Sequence, residues 1–112
     1  MPLFVARGRM ACPMIAALSS GTTTAGAERA RLARMAGQCG GRLAAFHVIA
    51  GTWDLLMLFD LPIDGATRAM VPLQSGGLFE PGHFRLAITL DSGTFDQTLA
   101  ACNPIASCWG QP

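Results

Sequence analysis

The sequence predicts an α+β domain of the ferredoxin-like, split βαβ kind (βαββαβ), with a four-stranded antiparallel sheet covered by helices on one face. Strand-like and helix-like segments follow one another in the order strand, helix, strand, strand, helix, strand. The length of 112 residues is about that of one domain. We therefore assign residues 1–102 to a single domain and expect 103–112 to form a loose C-terminal tail.

The N-terminal part of the chain predicts a strand followed by the clearest helix. Pro2–Gly8 is rich in Leu, Phe and Val, which favours a strand, and Met10–Ser20 predicts a short helical turn. A threonine of the 22–24 segment is expected to cap the next helix, Ala27–Cys39. The apolar residues of that helix recur at spacings of three and four: Leu32, Met35, Ala36 and Cys39.

The polar residues and the end of this helix give two further expectations. Glu28 belongs to the charged residues that should point away from the core, close to the positive end of the helix dipole. The pair Gly40-Gly41 should end the helix, because glycine readily adopts the left-handed conformation of a helix terminus.

A β-hairpin and a second helix-strand pair are predicted for the rest of the chain. Arg42–Ala50 and Trp53–Asp60 are apolar enough to be strands, and Gly51-Thr52 between them favours a tight turn. His83–Leu90 alternates between apolar and other residues, as a half-buried strand does. Asp91–Cys102 predicts a last short helix.

The helix between these strands is expected over Gly65–Gln74, with Asp64 as its N-terminal cap. Pro72 lies inside this pattern. Because proline cannot donate a backbone hydrogen bond, we expect the helix to be short, kinked or replaced by a turn after this point.

The composition favours a homodimer or a higher homo-oligomer. Hydrophobic residues make up 51% of the chain and charged residues only 13%. A small domain with so few charges has apolar surface left to cover, and a subunit interface is the ordinary cover. An Ala-rich chain that is tolerated as a monomer is the alternative.

Other partners have little support in the sequence. The eight arginines are spread along the chain without a basic stripe beside stacking aromatics, so we expect no nucleic-acid partner. No apolar run approaches the ~18 residues that span a membrane. The segment from Arg7 to Gly21 resembles a weak signal peptide, but Pro13 interrupts it, and we expect a cytoplasmic protein with no membrane partner.

The four cysteines have no spacing typical of a metal site. No C-x-x-C pair and no histidine at ligand spacing occurs, so the sequence predicts neither a zinc site nor an iron–sulfur cluster. Free, reduced thiols are the expectation. In an oxidising compartment, Cys102 and Cys108 could instead form a disulfide.

The hairpin and its flanks resemble the GYD-domain family, small bacterial proteins named for a Gly-x-Tyr-Asp segment. The resemblance rests on the Gly-Gly helix end, the strand Phe46–Ala50, the segment Gly51-Thr52-Trp53-Asp54 and the segment from Asp60 to Asp64. Together with the element order it extends over about residues 2–90. Trp53 stands where the family has Tyr, Pro72 disturbs the second helix, and the segment after Leu90 has no counterpart in the family pattern.

This resemblance implies a dimeric α+β barrel in which two sheets pack face to face. It implies no particular activity, since the family is described mainly by its domain. Related barrel folds include monooxygenases, haem-handling proteins and stress-response proteins, which is an analogy of fold alone.

Strand alternation predicts a polar cluster on the sheet face opposite the helices. Leu3, Val5 and Arg7 share one side of the first strand, and Arg85 lies with His83 on one side of the last. On the third strand, one side holds Trp53, Leu55, Met57 and Phe59, and the other holds Asp54, Leu56, Leu58 and Asp60. A pocket that combines Arg7, His47, Asp54 or Trp53, and Arg85 is therefore one prediction, unless a β-bulge shifts a strand's faces.

Each candidate has a functional and a purely structural interpretation. His47, Arg85 and Asp54 are the catalytic candidates, because histidine can move a proton and arginine can hold a carboxylate. A histidine on a strand can also be an axial haem ligand, although the sequence requires no cofactor. The structural alternatives are an interface role for His47, a loop-edge position for His83, a turn brace for Asp54 and packing for Trp53.

Two functions of different classes follow, and the sequence does not decide whether the protein is an enzyme. The first is a small-metabolite-binding dimer with a cavity that the following residues line: Arg7, His47, Trp53, Met57, Phe59, His83 and Arg85. Such a dimer could carry out cofactor-independent or haem-dependent chemistry. The second is an assembly or accessory module without an active site.

Overall fold

The computed structural model describes residues 2–101, and the predicted tail together with Cys102 and Cys108 lies outside them. The elements are β1 (Leu3–Met10), α1 (Cys12–Ser20), α2 (Ala25–Gln38), β2 (Arg42–Ile49), β3 (Asp54–Asp60), α3 (Ile63–Ser75), β4 (Phe79–Ile88) and α4 (Ser92–Ala101). The strands form one antiparallel sheet in the order β2-β3-β1-β4. This confirms the predicted α+β fold of ferredoxin-like type.

The hydrophobic core lies between one face of this sheet and the helices. The central strands β1 and β3 contribute alternate residues, among which Ala6, Leu55, Met57 and Phe59 have no exposed surface. The predicted stripe of α2 packs on them through Leu32, Ala36 and Cys39, and α3 adds its own buried residues: Ala66, Ala69 and Leu73.

The predicted threonine cap and glycine stop of α2 are confirmed, although the helix spans Ala25–Gln38 and so begins two residues before the predicted Ala27. The Thr24 side chain accepts a hydrogen bond from the backbone N–H of Ala27 at 3.1 Å, which satisfies a free donor of the first turn. At the other end Gly40 has φ of 86°, a value that costs glycine little. Cys39 is a buried free thiol and Cys12 an exposed one.

Glu28 is buried, so the expectation that it points away from the core is wrong. Its carboxylate accepts a hydrogen bond from the Thr23 hydroxyl at 2.8 Å and forms a 2.7 Å ion pair with Arg31. Burial by itself would raise the pKa of Glu28, but the hydrogen bonds from Thr23 and Arg31 and the charge of Arg31 outweigh it, and the pKa is lowered. These partners are what allow a charged side chain to be buried here.

Two expectations for α3 are also corrected. Pro62, not Asp64, occupies the N-cap, and Asp64 lies in the first turn, 3.8 Å from Arg68. The helix continues through Pro72 to Ser75. Pro72 and Arg68 are both exposed, so the proline lies on the solvent side of the helix.

Two register shifts in the sheet account for differences from the predicted strands, one in a strand face and one in strand boundaries. Strict alternation along β2 puts Leu43 on the same side as Ala45, His47 and Ile49. This is wrong for Leu43, because the register between β2 and β3 shifts between Leu43 and Ala45 and Leu43 lies on the core face. The register between β1 and β4 shifts between Gly8 and Met10, so β1 continues past Gly8 and β4 begins at Phe79 instead of His83. Pro81 is tolerated there because β4 is an edge strand.

The last described helix, α4, stands apart from the core. All of its residues are exposed, including Phe95 and Leu99, which lie one helical turn apart. Asp91 caps it by accepting a 2.7 Å hydrogen bond from the Thr94 backbone N–H, and this bond is the main cause of the lowered pKa of Asp91. None of the helices within residues 2–101 has the length and apolar character needed to cross a membrane.

Candidate functional site

The sheet face opposite the core, here called the open face, has no fully buried side chain. It presents the alternate residues of all four strands to the outside: Leu3, Val5, Arg7, Arg9, Arg42, Ala45, His47, Ile49, Asp54, Leu56, Leu58, Asp60, Arg85 and Ala87. The buried core cluster takes its strand residues from the other face. The open face is thus the part of the sheet that the described helices leave uncovered.

Strand register places the polar candidates in one row across the open face. His47 lies opposite Leu56, Leu56 opposite Arg7, and Arg7 opposite Arg85. Neighbouring strands are roughly 5 Å apart, so His47 and Arg7 are separated by roughly 10 Å. Arg7, His47 and Arg85 therefore lie on the same face of the sheet.

The next row is entirely apolar. It consists of Ala45, Leu58, Val5 and Ala87, which lie opposite one another in that order across the sheet. Leu58 and Val5 are half-buried, and Ala87 is exposed. The open face therefore carries a polar row and an apolar row side by side.

A depression of about 440 Å³, here called the basic depression, lies where the polar row reaches β4. Its lining is Arg7, Gly8, Arg9, Asp54, Gly82, His83 and Arg85. The volume is within the range of small-molecule pockets, roughly 300–1,000 Å³. Three arginines against the single Asp54 carboxylate make it positively charged, which suits an anion.

The β-bulge shapes this depression. A side chain at Gly8 would collide with the backbone carbonyl of His83, so only glycine lets β4 approach β1 this closely. On the other strand, Gly82 has φ of 81°, which turns the backbone just before His83. The two glycines thus fix how His83 and Arg85 are presented beside Arg7.

The charges of the basic depression are unevenly neutralised. Arg9 lies 3.9 Å from Glu80 and is the register partner of Asp54, whose carboxylate also accepts a 2.9 Å hydrogen bond from Thr52. Within the part of the chain that the structure describes, neither Arg7 nor Arg85 forms an ion pair. The uncompensated charge is therefore concentrated on this pair.

The structure brings together some of the predicted site residues and separates others. Arg7, Asp54, His83 and Arg85 line the basic depression, while His47 lies in the same row two strands away. Asp54 also braces the hairpin turn through Thr52, as its structural alternative predicted.

Three predicted site residues lie elsewhere. Trp53 is in the turn before β3, with φ of 56° and 44% of its surface exposed, and its carbonyl accepts a 2.8 Å hydrogen bond from the Met10 N–H. Met57 and Phe59 point into the core on the opposite face of the sheet and have no exposed surface. They do not share a cavity with Arg7, His47 and Arg85 in this chain.

Sequence reasoning missed Gly8, Arg9 and Gly82 as parts of the site. The alternation Arg7-Gly8-Arg9 in an otherwise apolar strand was an available signal, since both arginines must lie on one face. The Pro81-Gly82 pair marks a bulge or turn, but no sequence rule says which residue it will face.

A second hollow of about 280 Å³ lies between α2 and α3. Apolar side chains such as Leu32, Met35 and Leu73 line it together with Arg31, which is held by Glu28. It is smaller than the basic depression and its charge is partly neutralised.

Comparison of the chain with protein-family models, with curated proteins and with solved structures finds no match. The resemblance to the GYD-domain family stays a prediction from the hairpin and the element order. Inferences about function therefore start from the geometry of the open face.

Proposed function

We propose that the protein is a small-molecule-binding homodimer in which two copies pack open face against open face and enclose the ligand. The observation that supports this most directly is that an apolar row adjoins a basic depression on a sheet face without helix cover. An apolar row alone would suit any interface. Its position beside a pocket-sized depression favours a binding site at that interface.

The apolar row supplies the reason for pairing. Val5, Leu58 and Ala45 form a continuous strip across three strands, and the same strip on a second copy is its natural complement in a two-fold arrangement. Each square ångström of apolar surface removed from water contributes about 25 cal/mol. Pairing would remove the apolar side chains of this strip from water in both copies.

Face-to-face pairing would also enclose the ligand. Stacked sheets lie about 10 Å apart, a gap that side chains and a small molecule can fill together. The basic depression is open in the single chain, and a second sheet at that distance would cover it. Enclosure lowers the local dielectric constant and so strengthens the attraction between the arginines and an anion.

Native mass spectrometry of freshly purified protein tests this function. The expected spectrum has the mass of two chains with a reproducible small adduct that denaturation releases. A spectrum with single chains only, at micromolar protein concentration, would contradict the dimer. Two chains that gain no mass when incubated with a mixture of small organic acids would contradict ligand binding.

A second candidate function is an assembly module without a ligand, and α4 is the observation that favours it. Its exposed Phe95 and Leu99 form a small apolar patch on a helix whose residues, Ser92–Ala101, are all exposed. This candidate predicts that the double substitution Phe95→Ser, Leu99→Ser changes the number of chains per particle. The ligand-binding dimer predicts that the open face, and not α4, sets that number.

A further inference from the structure

Arg7 and Arg85 are an unusual pair for two facing strands. They are register partners on β1 and β4, where Cα atoms lie about 4.5–5.5 Å apart. Like charges directly opposite one another destabilise a sheet. Arg9, by contrast, has Glu80 and Asp54 near it.

The surroundings of the pair restrict which anion would relieve this repulsion. On one side the next residues on the same face are Val5 and Ala87, and the neighbouring strand adds Leu56 and Leu58. On the other side are Arg9 and the Asp54 carboxylate. A ligand with its charge on Arg7 and Arg85 would have its remaining atoms over the apolar residues, and Asp54 would repel a second negative charge.

We propose that the ligand is a small carboxylic acid with an apolar body, bound as a monoanion with its carboxylate between Arg7 and Arg85. This inference rests on the proposed function, because the second sheet supplies the cover for the apolar body. Guanidinium groups present paired N–H donors that match the two oxygens of a carboxylate. The apolar body packs over Val5, Leu56 and Ala87, where it gains the hydrophobic contribution of burial.

His83 has a positioning role in this assignment. It lines the same depression, and its place is fixed by the close approach of its backbone to Gly8. An imidazole N–H at this position adds a hydrogen-bond donor near the carboxylate. The ligand is therefore held mainly by the two arginines and oriented by the histidine.

Isothermal titration with three probes tests the inference: sodium octanoate, octanol and inorganic phosphate. Octanoate should bind, octanol should bind at least about tenfold more weakly because it lacks the charge, and phosphate should bind more weakly because it has no apolar body. The variants Arg7→Gln and Arg85→Gln should each weaken octanoate binding about tenfold to a hundredfold, the range for hydrogen bonds to charged groups.

Two further variants make the result specific. Arg29→Gln, on the exposed part of α2, should leave octanoate affinity unchanged. Arg7→Lys keeps the positive charge but not the paired N–H donors of arginine. Its octanoate affinity should therefore lie between that of wild type and that of Arg7→Gln. Circular dichroism of each variant checks that the fold is retained.

Several results would overturn the ligand class. Octanoate affinity that is the same in wild type, Arg7→Gln and Arg85→Gln would do so, as would octanol binding as tightly as octanoate. Phosphate binding more tightly than octanoate would assign a compact inorganic anion to the site instead.

Light scattering on the same samples distinguishes a failure of the ligand class from a failure of the proposed dimer. Two-chain particles that do not bind octanoate overturn the ligand class alone, whereas single chains overturn the dimer.

Discussion

Arg7 and Arg85 lie directly opposite one another on adjacent strands, and no carboxylate among residues 2–101 pairs with either of them. A protein selected for stability alone would gain from placing a carboxylate at one of these positions. Binding of an anion would explain why both positions are arginine. Two positive charges favour the binding of an anion, whereas they lower the stability of the ligand-free sheet.

The first prediction is that the ligand-free chain becomes more stable when one of these arginines is neutralised. Arg7→Gln or Arg85→Gln should raise the free energy of unfolding by about 0.2–1 kcal/mol, because each removes the cross-strand repulsion. Urea denaturation of protein freed of ligand by refolding measures it. Arg29→Gln is the matched control and should change the free energy of unfolding by less than about 0.5 kcal/mol. A lower free energy of unfolding in both Arg7→Gln and Arg85→Gln would contradict the claim that repulsion between the two arginines destabilises the sheet.

The second prediction concerns the close approach at Gly8. Gly8→Ala should lower the free energy of unfolding by about 1–3 kcal/mol, because the added Cβ collides with the His83 carbonyl. Gly37→Ala in α2 is the control, since a Cβ there meets nothing within 4 Å and should stabilise the chain by about 0.4–1 kcal/mol. Thermal unfolding of both variants decides it. Equal effects of the two substitutions would mean that β4 does not approach β1 this closely.

The third prediction is a pH dependence that comes from Glu28. Because the pKa of Glu28 is lowered in the folded chain, the unfolded chain binds a proton more readily. The stabilisation is therefore complete above the ordinary value of 4.5 and is lost as the pH falls through the folded-state pKa. Glu28→Gln should cost about 1 kcal/mol at pH 7, since Arg31 is partly exposed to water, and less at pH 3.

Denaturation of wild type and Glu28→Gln at both pH values measures this difference. Thr23→Ala removes one of the two hydrogen-bonding partners of the carboxylate, so it should show a smaller effect of the same sign. A cost of Glu28→Gln that is the same at pH 3 and pH 7 would show that the carboxylate charge does not contribute.

Sequence periodicity was sufficient for the order of the elements. The stripe of α2 predicted which side chains of that helix pack on the sheet, and the structure confirms it. For β3, alternation separated the residues into two faces but did not say which face is buried. The side of the sheet to which Arg85 belongs could be predicted from the alternation of the last strand, whose apolar residues occupy the other side. Successive side chains of a strand point to opposite faces of the sheet, so the face of one residue determines the faces of the others where no bulge intervenes.

The errors occurred where tertiary contacts decide. Glu28 is buried because Thr23 and Arg31 satisfy its carboxylate, which helical spacing cannot reveal. The bulges at Gly8 and Ala45 depend on pairing between strands distant in sequence. Met57 was assigned to a ligand cavity although its strand face packs against the helices. Spacing along a strand predicts which side chains share a face of the sheet, but it does not predict whether helices cover that face.

The most direct test of the proposed dimer is the mass in solution of two matched variants, measured by sedimentation equilibrium. Leu58→Glu places a charge in the middle of the apolar row of the open face, and Val71→Glu places one on the exposed side of α3, where Val71 is 66% exposed. We expect two-chain particles for wild type and Val71→Glu, and single chains with unchanged circular dichroism for Leu58→Glu, because an unpaired buried charge is costly. Two-chain particles of Leu58→Glu, or single chains of wild type, would contradict pairing through the open face.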